Sequence, residues 1–280
     1  MPRRPIPADR FVSANGLRLR YRDWGGSGRI LIALHGSSAH AHWWDPVAPH
    51  LAPRYRVLAL DWRGHGRSAW PRPPAYRTED FTADLLAVIE ALRLDRPIVA
   101  GHSMGGQVAM AFAAWHPERL AGLVLLDARP AASMRRLRAL RLLADRPRVE
   151  FASRAAAIMR FRLVPPETTA PAALVRQIGA RGIQRLGPGR WVYRFDPACY
   201  RTRAPVDAWP LLSAVTAPTL VMRGEGSTVL PRDVAERMVT LIPSARLDEV
   251  PGAHHHVTLD APEAVANRLL AWLVGSSLAS

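Results

Sequence analysis

Short apolar runs alternate with amphipathic stretches along most of the chain. The apolar runs, each followed by turn residues, are Ile30–Leu34, Arg56–Leu60, Ile98–Ala100, Leu123–Leu126 and Leu220–Met222. The stretches with helical spacing of apolar residues are Glu79–Leu92, Met104–Trp115, Pro231–Leu241 and Pro262–Leu273. Apolar strands separated by helices are typical of a parallel sheet that is covered by helices on both faces. The pattern therefore predicts an α/β fold with a mostly parallel, doubly wound sheet.

The N-terminal part of the chain has a different pattern. Apolar and polar residues alternate over residues 10–24 around the pair Asn15-Gly16, which favours the two-residue turn of a β-hairpin. The sequence thus predicts that antiparallel strands extend one edge of the sheet, which makes the sheet mixed.

The alternation of strands and helices stops between residues 131 and 212. This segment has a helical pattern, is rich in arginine and is interrupted by prolines and glycines, among them Pro165-Pro166. Strand-like runs resume at Pro218. We therefore predict one core, residues 1–130 and 213–280, which is interrupted by a helical insertion at residues 131–212.

The net charge of +15 is concentrated in this insertion. Seventeen arginines lie between Arg129 and Arg203 against four acidic residues, and the chain has no lysine. A basic surface can bind nucleic acid, but no motif of a nucleic-acid-binding fold accompanies these arginines. We therefore expect a solvated arginine-rich surface and no nucleic-acid partner.

Composition and segment lengths argue against several other classes of protein. An apolar fraction of 49% over 280 residues is sufficient for a buried core. No apolar stretch approaches the roughly 18 to 20 residues of a membrane span, and Met1–Arg10 has no apolar signal region. The single cysteine, Cys199, cannot form an internal disulfide, and no cysteine–histidine spacing resembles a zinc site. We expect a cytoplasmic protein without membrane contact or bound metal.

A glycine-rich turn marks the strongest candidate for chemistry. The segment Gly101–Gly106, with the sequence GHSMGG, joins a predicted strand to a predicted helix. In a G-x-S-x-G turn of this kind the glycines allow close backbone approach, and the central serine is presented above the sheet. The N-terminus of the following helix points N–H groups and the positive end of its dipole at the same place. The pattern predicts Ser103 as a nucleophile.

Four motifs occur in the order in which one known family has them. They are Leu34–Ser37 (LHGS), Asp61–Ser68 (DWRGHGRS), Gly101–Gly106 (GHSMGG) and Pro251–His256 (PGAHHH). With these motifs the chain resembles the α/β-hydrolase superfamily, in the branch of cofactor-free esterases, haloperoxidase-like enzymes and hydrolases of carbon–carbon bonds. The resemblance covers roughly residues 10–128 and 215–275. It implies a sheet of about eight strands, a helical cap formed by the insertion, and no metal or organic cofactor.

The resemblance also implies which groups act beside the nucleophile. A serine hydroxyl needs a base that removes its proton. Among the three consecutive histidines at the end of the fourth motif, alignment with the family pattern implies that His255 is this base. The oxyanion would be bound by the backbone N–H groups of Met104, which follows the nucleophile, and of Ser37, in the loop after the third strand.

The carboxylate that should orient this histidine is not where the family often has it. In the loop that would contain it, Ser227 or Thr228 stands at the place of the usual aspartate. Asp127 is one candidate, because some members of the superfamily have the acid at the end of that strand. Glu225 is another, although it comes one or two positions early in the usual loop. A site without any such acid is the third alternative, and we expect Asp127 to be the acid.

These residues predict a serine hydrolase for a small or medium carboxylic ester. The acyl group would be transferred to Ser103, and His255, oriented by Asp127, would assist its hydrolysis. Relatives that dehalogenate alkanes or open epoxides have an aspartate in place of the serine, which argues against those reactions. One alternative is hydrolysis of a carbon–carbon bond in a dienoic diketo acid, whose carboxylates the cap arginines would hold. The other is a non-catalytic ligand receptor with the same fold.

Overall fold

The structure, a computed structural model, describes residues 6–145, 147–276 and 278, with residues 136 and 143 described by their backbone alone. The described residues do not include residues 1–5, 277 and 279–280, which are the ends of the predicted core. Part of the segment Met1–Arg10 is therefore also outside them. The strands are β1 Ala8–Ala14, β2 Leu17–Asp23, β3 Ile30–Leu34, β4 Arg56–Leu60, β5 Ile98–His102, β6 Gly122–Leu126, β7 Ile183–Gly187, β8 Arg190–Tyr193, β9 Thr219–Gly224 and β10 Ala245–Val250.

Helices connect most of these strands. They are α1 Ala48–Leu51, α2 Thr78–Ala91, α3 Met104–Trp115, α4 Met134–Ala144, α5 Arg154–Arg160, α6 Ala172–Arg181, α7 Ala198–Thr202, α8 Arg232–Leu241, α9 Val257–Asp260 and α10 Pro262–Gly275. Short 3-10 helices lie at residues 41–44, 117–119 and 209–214. Within the described ranges, no helix combines the length and the apolar character that crossing a membrane requires.

Eight of the strands form one mixed sheet in the order β1-β2-β4-β3-β5-β6-β9-β10. β2 pairs antiparallel with both β1 and β4, and the other neighbouring strands of the sheet are parallel. The hairpin of β1 and β2 turns at Asn15-Gly16, where both residues have positive φ values, 50° and 71°. The predicted mostly parallel sheet of about eight strands with an antiparallel edge is confirmed.

Cores on both faces of the sheet explain why its central strands are mostly apolar, and why β3 is apolar at every position. In β3, Ile32 and Leu34 pack into one core, and Leu31 and Ala33 pack into the other. Helices α2 and α3 contribute to the first core, and α1 and α10 contribute to the second. Because side chains alternate between the two faces of a strand, a strand covered on both faces needs an apolar residue at each position.

Between β6 and β9 the chain leaves the sheet and forms the cap segment, residues 131–212. It contains α4 to α7 and, in addition, β7 and β8, which pair antiparallel on either side of Pro188-Gly189. The sequence pattern predicts helices alone here and does not reveal this hairpin. Its strands are short, and each has a single buried residue, Ile183 in β7 and Val192 in β8, so no regular alternation of apolar residues marks them.

Candidate active site

Ser103 lies in the turn between β5 and α3. Its φ of 53° and ψ of −115° fall outside the regions that residues with a side chain usually adopt. The N–H of Ser103 donates to the carbonyl of Leu126 at 3.0 Å, and the carbonyl of Ser103 accepts the N–H of Gln107 at 3.1 Å. These two bonds anchor the strained residue, and Ser103 lines a cavity above the sheet.

Close backbone contacts around this turn require glycine on both sides of Ser103. A Cβ atom on Gly101 would lie 2.5 Å from the carbonyl carbon of Gly105. A Cβ atom on Gly105 would lie 2.6 Å from the carbonyl oxygen of Leu34, in β3. Real Cβ contacts are essentially never this short, so the spacing of the motif follows from how closely α3 approaches β5 and β3.

His255 and Asp127 are brought together from two loops at the same edge of the sheet. His255 lies between β10 and α9, Asp127 follows β6, and their side chains are 3% and 0% exposed. Nδ1–H of His255 donates to Oδ2 of Asp127 at 2.7 Å. This bond selects the tautomer in which Nε2 of His255 has a lone pair and can accept a proton. His255 lines the same cavity as Ser103.

Several further bonds hold the Asp127 carboxylate in place. Asp127 has a φ of 45°, and its N–H donates to the carbonyl of Met222 at 2.7 Å. Its Oδ1 accepts the N–H of Gly224 at 3.1 Å, and its Oδ2 accepts the hydroxyl of Ser227 at 2.6 Å. Burial raises the pKa of Asp127 to about 6, against the lowering effect of these two hydrogen bonds. The carboxylate is therefore fixed between the ends of β6 and β9.

Ser227 gives the departure from the family pattern a structural explanation. This serine stands where an aspartate is usual, and it donates to the aspartate at the end of β6. Its Oγ also accepts two backbone N–H groups of its own loop at 3.1 and 3.3 Å. Glu225 is exposed, and its carboxylate accepts the N–H of Gly252 at 2.8 Å. The structure thus brings Asp127, and not Glu225, to His255.

His102, which precedes Ser103, is a residue of the candidate site that the sequence pattern does not indicate. Its side chain is buried, and burial lowers the pKa of His102 to about 3, so the ring is neutral at neutral pH. Nε2–H of His102 donates to the carbonyl of His255 at 2.8 Å, and the two ring centroids are 4.8 Å apart. His102 therefore helps to hold the His255 loop. No sequence signal marks this contact, because the motif allows many residues there and the partner is 153 positions away.

The histidines on either side of His255 have other partners. Nδ1–H of His254 donates to the carbonyl of Gly226 at 3.0 Å. Nε2–H of His256 donates to the carbonyl of Pro165, in the cap segment, at 2.8 Å. His254 therefore ties the histidine loop to the loop after β9, and His256 ties it to the cap segment.

Three imidazoles form a group that a transition metal could use. One ring nitrogen from each of His102, His255 and His256 lies within 4.8 Å of the other two. Nδ1 of His255 is bonded to Asp127, so a metal on this group would take Nε2 of His255. Serine chemistry needs the same nitrogen as its base, and the two uses of the site would therefore exclude each other.

The two residues predicted to bind an oxyanion line the cavity together with Ser103. Met104 is the first residue of α3, where backbone N–H groups have no partner within the helix. Ser37 belongs to the loop after β3, which is fixed by Asp61, whose Oδ1 accepts the N–H of Ala41 at 2.6 Å. Such N–H groups can stabilise the charge that develops when a serine attacks a carbonyl.

The cavity has a volume of about 580 Å³, which is the size of a small-molecule site. Trp43 lines it from the core, and its ring lies 5.3 Å from that of His256. Leu137, Phe161 and Tyr200 line it from the cap segment. A substrate at Ser103 would therefore contact both parts of the chain.

Comparison with known proteins identifies the family. The sequence profile described as "alpha/beta hydrolase fold" matches residues 29–262. The chain is 32% identical over 270 residues to the esterase Rv0045c of Mycobacterium tuberculosis, which covers 93% of this chain and 87% of that protein. The chain belongs to the alpha/beta hydrolase fold family.

Two further similarities extend over nearly the whole chain. It is 25% identical over 280 residues to 2-hydroxy-6-oxo-6-(2'-aminophenyl)hexa-2,4-dienoic acid hydrolase of Metapseudomonas resinovorans, covering 95% of this chain and 90% of that protein. The fold superposes on the crystal structure of E-2-(acetamidomethylene)succinate hydrolase with a TM-score of 0.86 and 26% identity, over 96% of this chain and 100% of that one. The names of these two proteins describe hydrolases of small organic acids.

Proposed function

We propose that the protein is a serine hydrolase that cleaves a small or medium carboxylic ester. The observation that carries this proposal is the hydrogen bond from His255 to Asp127 beside a cavity that Ser103 also lines. Acyl transfer to serine requires a nucleophile, a base and an acid. In this fold the three groups come from separate loops at one edge of the sheet. The similarity to the esterase of Mycobacterium tuberculosis supports an ester as the substrate.

In the proposed reaction, Nε2 of His255 takes the proton of the Ser103 hydroxyl while Ser103 Oγ attacks the ester carbonyl. The carbonyl oxygen becomes an oxyanion, which the N–H groups of Ser37 and Met104 stabilise. The imidazolium of His255, stabilised by the carboxylate of Asp127, gives its proton to the leaving alcohol, and the acyl group stays on Ser103. A water molecule that loses its proton to His255 then attacks the acyl carbonyl. The bond to Ser103 Oγ breaks, the imidazolium of His255 returns its proton to that oxygen, and the carboxylic acid is released.

A second candidate is hydrolysis of a carbon–carbon bond in a dienoic diketo acid. The cavity is lined by Arg129, Arg162 and Arg203, and arginine holds carboxylates well. The similarity to the dienoic acid hydrolase of Metapseudomonas resinovorans supports this candidate. The same serine and histidine would act in both reactions, so the substrate distinguishes the two candidates.

Residues 131–212 serve, in this proposal, as a cap over the site. Residues of the segment such as Leu137 and Phe161 line the cavity, which supports that role. The proposed setting is the cytoplasm, with small-molecule substrates, no metal or organic cofactor and no nucleic-acid partner. The single cysteine, Cys199, is buried, and a lone buried thiol suits a reducing compartment.

A turnover screen tests this function. Wild type and Ser103→Ala are assayed with p-nitrophenyl esters from acetate to decanoate, and with a dienoic diketo acid in parallel. We expect wild type to hydrolyse esters and Ser103→Ala to lose activity by several orders of magnitude. Cleavage of the diketo acid alone would favour the second candidate. Binding without turnover of any compound would show a non-catalytic receptor instead.

A further inference from the structure

Arg129 is a cation in the active-site cavity for which the described part of the chain supplies no anion. It lies two residues after Asp127 and lines the cavity with Ser103. Among the described residues, its side chain has neither a hydrogen-bond partner nor an ion-pair partner, and its Nε atom is buried. Buried polar groups nearly always have a partner, and Arg129 is partly buried in the cavity lining, so a ligand in the cavity can supply the partner that the described residues do not.

Three buried arginines in other parts of the chain show how this protein accommodates a guanidinium that is shielded from solvent. Each has a carboxylate partner, and the pairs are Arg20 with Asp61 at 3.0 Å, Arg63 with Asp84 at 2.5 Å, and Arg223 with Glu249. These arginines are 1%, 4% and 6% exposed. An ion pair is thus the solution at these three positions, and a fourth buried arginine, Arg203, donates to Gln107. The side chain of Arg129 has no such partner among the described residues, and it lies in the cavity that Ser103 lines.

The surroundings of Arg129 add positive charge and an anchor for its backbone. Nε2–H of Gln107, one turn into α3, donates to the Arg129 carbonyl at 3.1 Å, and Oε1 of Gln107 accepts Nη2–H of Arg203 at 2.7 Å. Arg162 lines the cavity as well and donates to backbone carbonyls. Of the described residues that line the cavity, Asp127 is the one carboxylate, and it is already bonded to His255 and Ser227.

We propose that Arg129 binds a carboxylate of the substrate, so that the preferred esters have a second, acidic group a few bonds from the scissile carbonyl. This inference rests on the ester hydrolase activity proposed above. A planar guanidinium can donate two parallel hydrogen bonds to a carboxylate, and the partial burial of Arg129 strengthens such bonds because fewer waters compete for them. A neutral ester of the same length leaves the guanidinium unpaired in the complex.

Two matched pairs of substrates test the inference. Mono-p-nitrophenyl glutarate has its carboxylate on the acyl side and is compared with its methyl ester. 4-Acetoxybenzoate has its carboxylate on the leaving group and is compared with methyl 4-acetoxybenzoate, each rate being divided by that of spontaneous hydrolysis. In at least one pair, we expect wild-type kcat/KM to be about 10-fold or more higher for the anionic member. Arg129→Gln should lower that value about 10- to 100-fold and change the neutral member less than about threefold.

Two further variants control for charge and folding. Arg129→Lys keeps the charge without the planar fork and should retain part of the preference. Arg160→Gln removes an exposed arginine that lines a different cavity, and it should leave both members of each pair unchanged. Thermal unfolding checks that each variant is folded. Equal activities of wild type on both members of both pairs would overturn the inference, as would an equal loss on both members in Arg129→Gln.

A second readout separates failure of this inference from failure of the proposed function. Glutarate, with glutaramide as its neutral control, is tested for protection of Ser103 against a fluorophosphonate. Protection by glutarate in wild type but not in Arg129→Gln supports the inference even if no ester is turned over. Ester turnover without any dependence on Arg129 overturns the inference and leaves the proposed function standing.

Discussion

Two hydrogen bonds converge on Oδ2 of Asp127, from His255 at 2.7 Å and from Ser227 at 2.6 Å. Burial disfavours the ionised carboxylate, and the bond from Ser227 favours it. Ser227 therefore stabilises the ionised carboxylate of Asp127, which lies at the end of β6 and not in the loop that contains Ser227. The sequence identifies Asp127 as a candidate acid but not this support, because the two residues are 100 positions apart.

Ser227→Ala should raise the pKa of Asp127 above its present value of about 6, because the carboxylate loses a hydrogen bond. Activity needs ionised Asp127 and is lost as the pH falls through this pKa. The acidic limb of the pH profile of kcat/KM, which reports the coupled Asp127–His255 pair, should move up by about one unit. Ser213→Ala, the same change at an exposed position, should leave the limb in place. An unmoved limb in Ser227→Ala would show that the serine does not stabilise the carboxylate.

Asp127→Asn should preserve the fold and lower kcat by up to about 10⁴, because an amide cannot stabilise the imidazolium of His255 and favours the wrong tautomer. Glu225→Gln is the matched control, since its carboxylate is bonded to Gly252 and not to a histidine. Steady-state kinetics with the best ester of the screen compare the two variants. If Glu225→Gln is the inactive one, the proposed acid is wrong.

At the scale of elements, the β5–turn–α3 unit positions Ser103 and packs closely on β3. The sequence predicts this unit because the glycines that it requires all lie within one short segment, Gly101–Gly106. Each close contact that they allow is between neighbouring elements of a parallel sheet. The central strands are predicted for a related reason, since burial on both faces leaves an unbroken apolar run. The exposed hairpin of β7 and β8 has no such signature, and its pairing escapes prediction from the sequence.

Gly105→Ala should damage this unit, because the new Cβ would lie 2.6 Å from the carbonyl oxygen of Leu34 and α3 must move away from β3. Overpacking of this kind costs about 1–3 kcal/mol, and the melting temperature should fall by several degrees. We also expect kcat to fall about 10-fold or more, because Ser103 and the N–H of Met104 shift together.

The control is Gly187→Ala, in β7, where an added Cβ meets nothing within 4 Å. Thermal unfolding and ester hydrolysis are measured for both variants. Wild-type stability and activity in Gly105→Ala would contradict the proposed role of the close contact with β3.

At the scale of the whole molecule, buried neutral histidines link stability to pH. Burial lowers the pKa of His35 to about 4, and the pKa values of three others, His40, His65 and His102, to about 3. In the unfolded chain each would titrate near 6.5. As the pH falls below about 6.5, the unfolded state therefore binds protons that the folded state does not. Asp127 and Asp84, whose pKa values burial raises, act in the opposite direction.

The free energy of unfolding should therefore fall as the pH drops from about 6.5 towards 4. Each additional proton bound on unfolding contributes about 1.4 kcal/mol per pH unit, and the net uptake should be about two to four protons. Urea unfolding at intervals between pH 8 and pH 4.5 measures this slope. A denaturation midpoint that stays constant between pH 7 and pH 5 would contradict it.

The candidate site as a whole is only partly predictable from the sequence. Ser103 and His255 each lie in a short contiguous motif, so the sequence and its family resemblance indicate them. His102, Ser227 and Arg129 acquire their roles from contacts, or from a missing partner, across distant parts of the chain. Only the folded structure brings those parts together.

Capture of the acyl-enzyme tests the central claim most directly. Wild type is mixed with excess p-nitrophenyl ester, quenched with acid during turnover, digested and analysed by mass spectrometry. We expect the acyl mass on the peptide that contains Ser103 in wild type and no acylated peptide in Ser103→Ala. An acyl group on a different residue, or undiminished turnover by Ser103→Ala, would contradict the account.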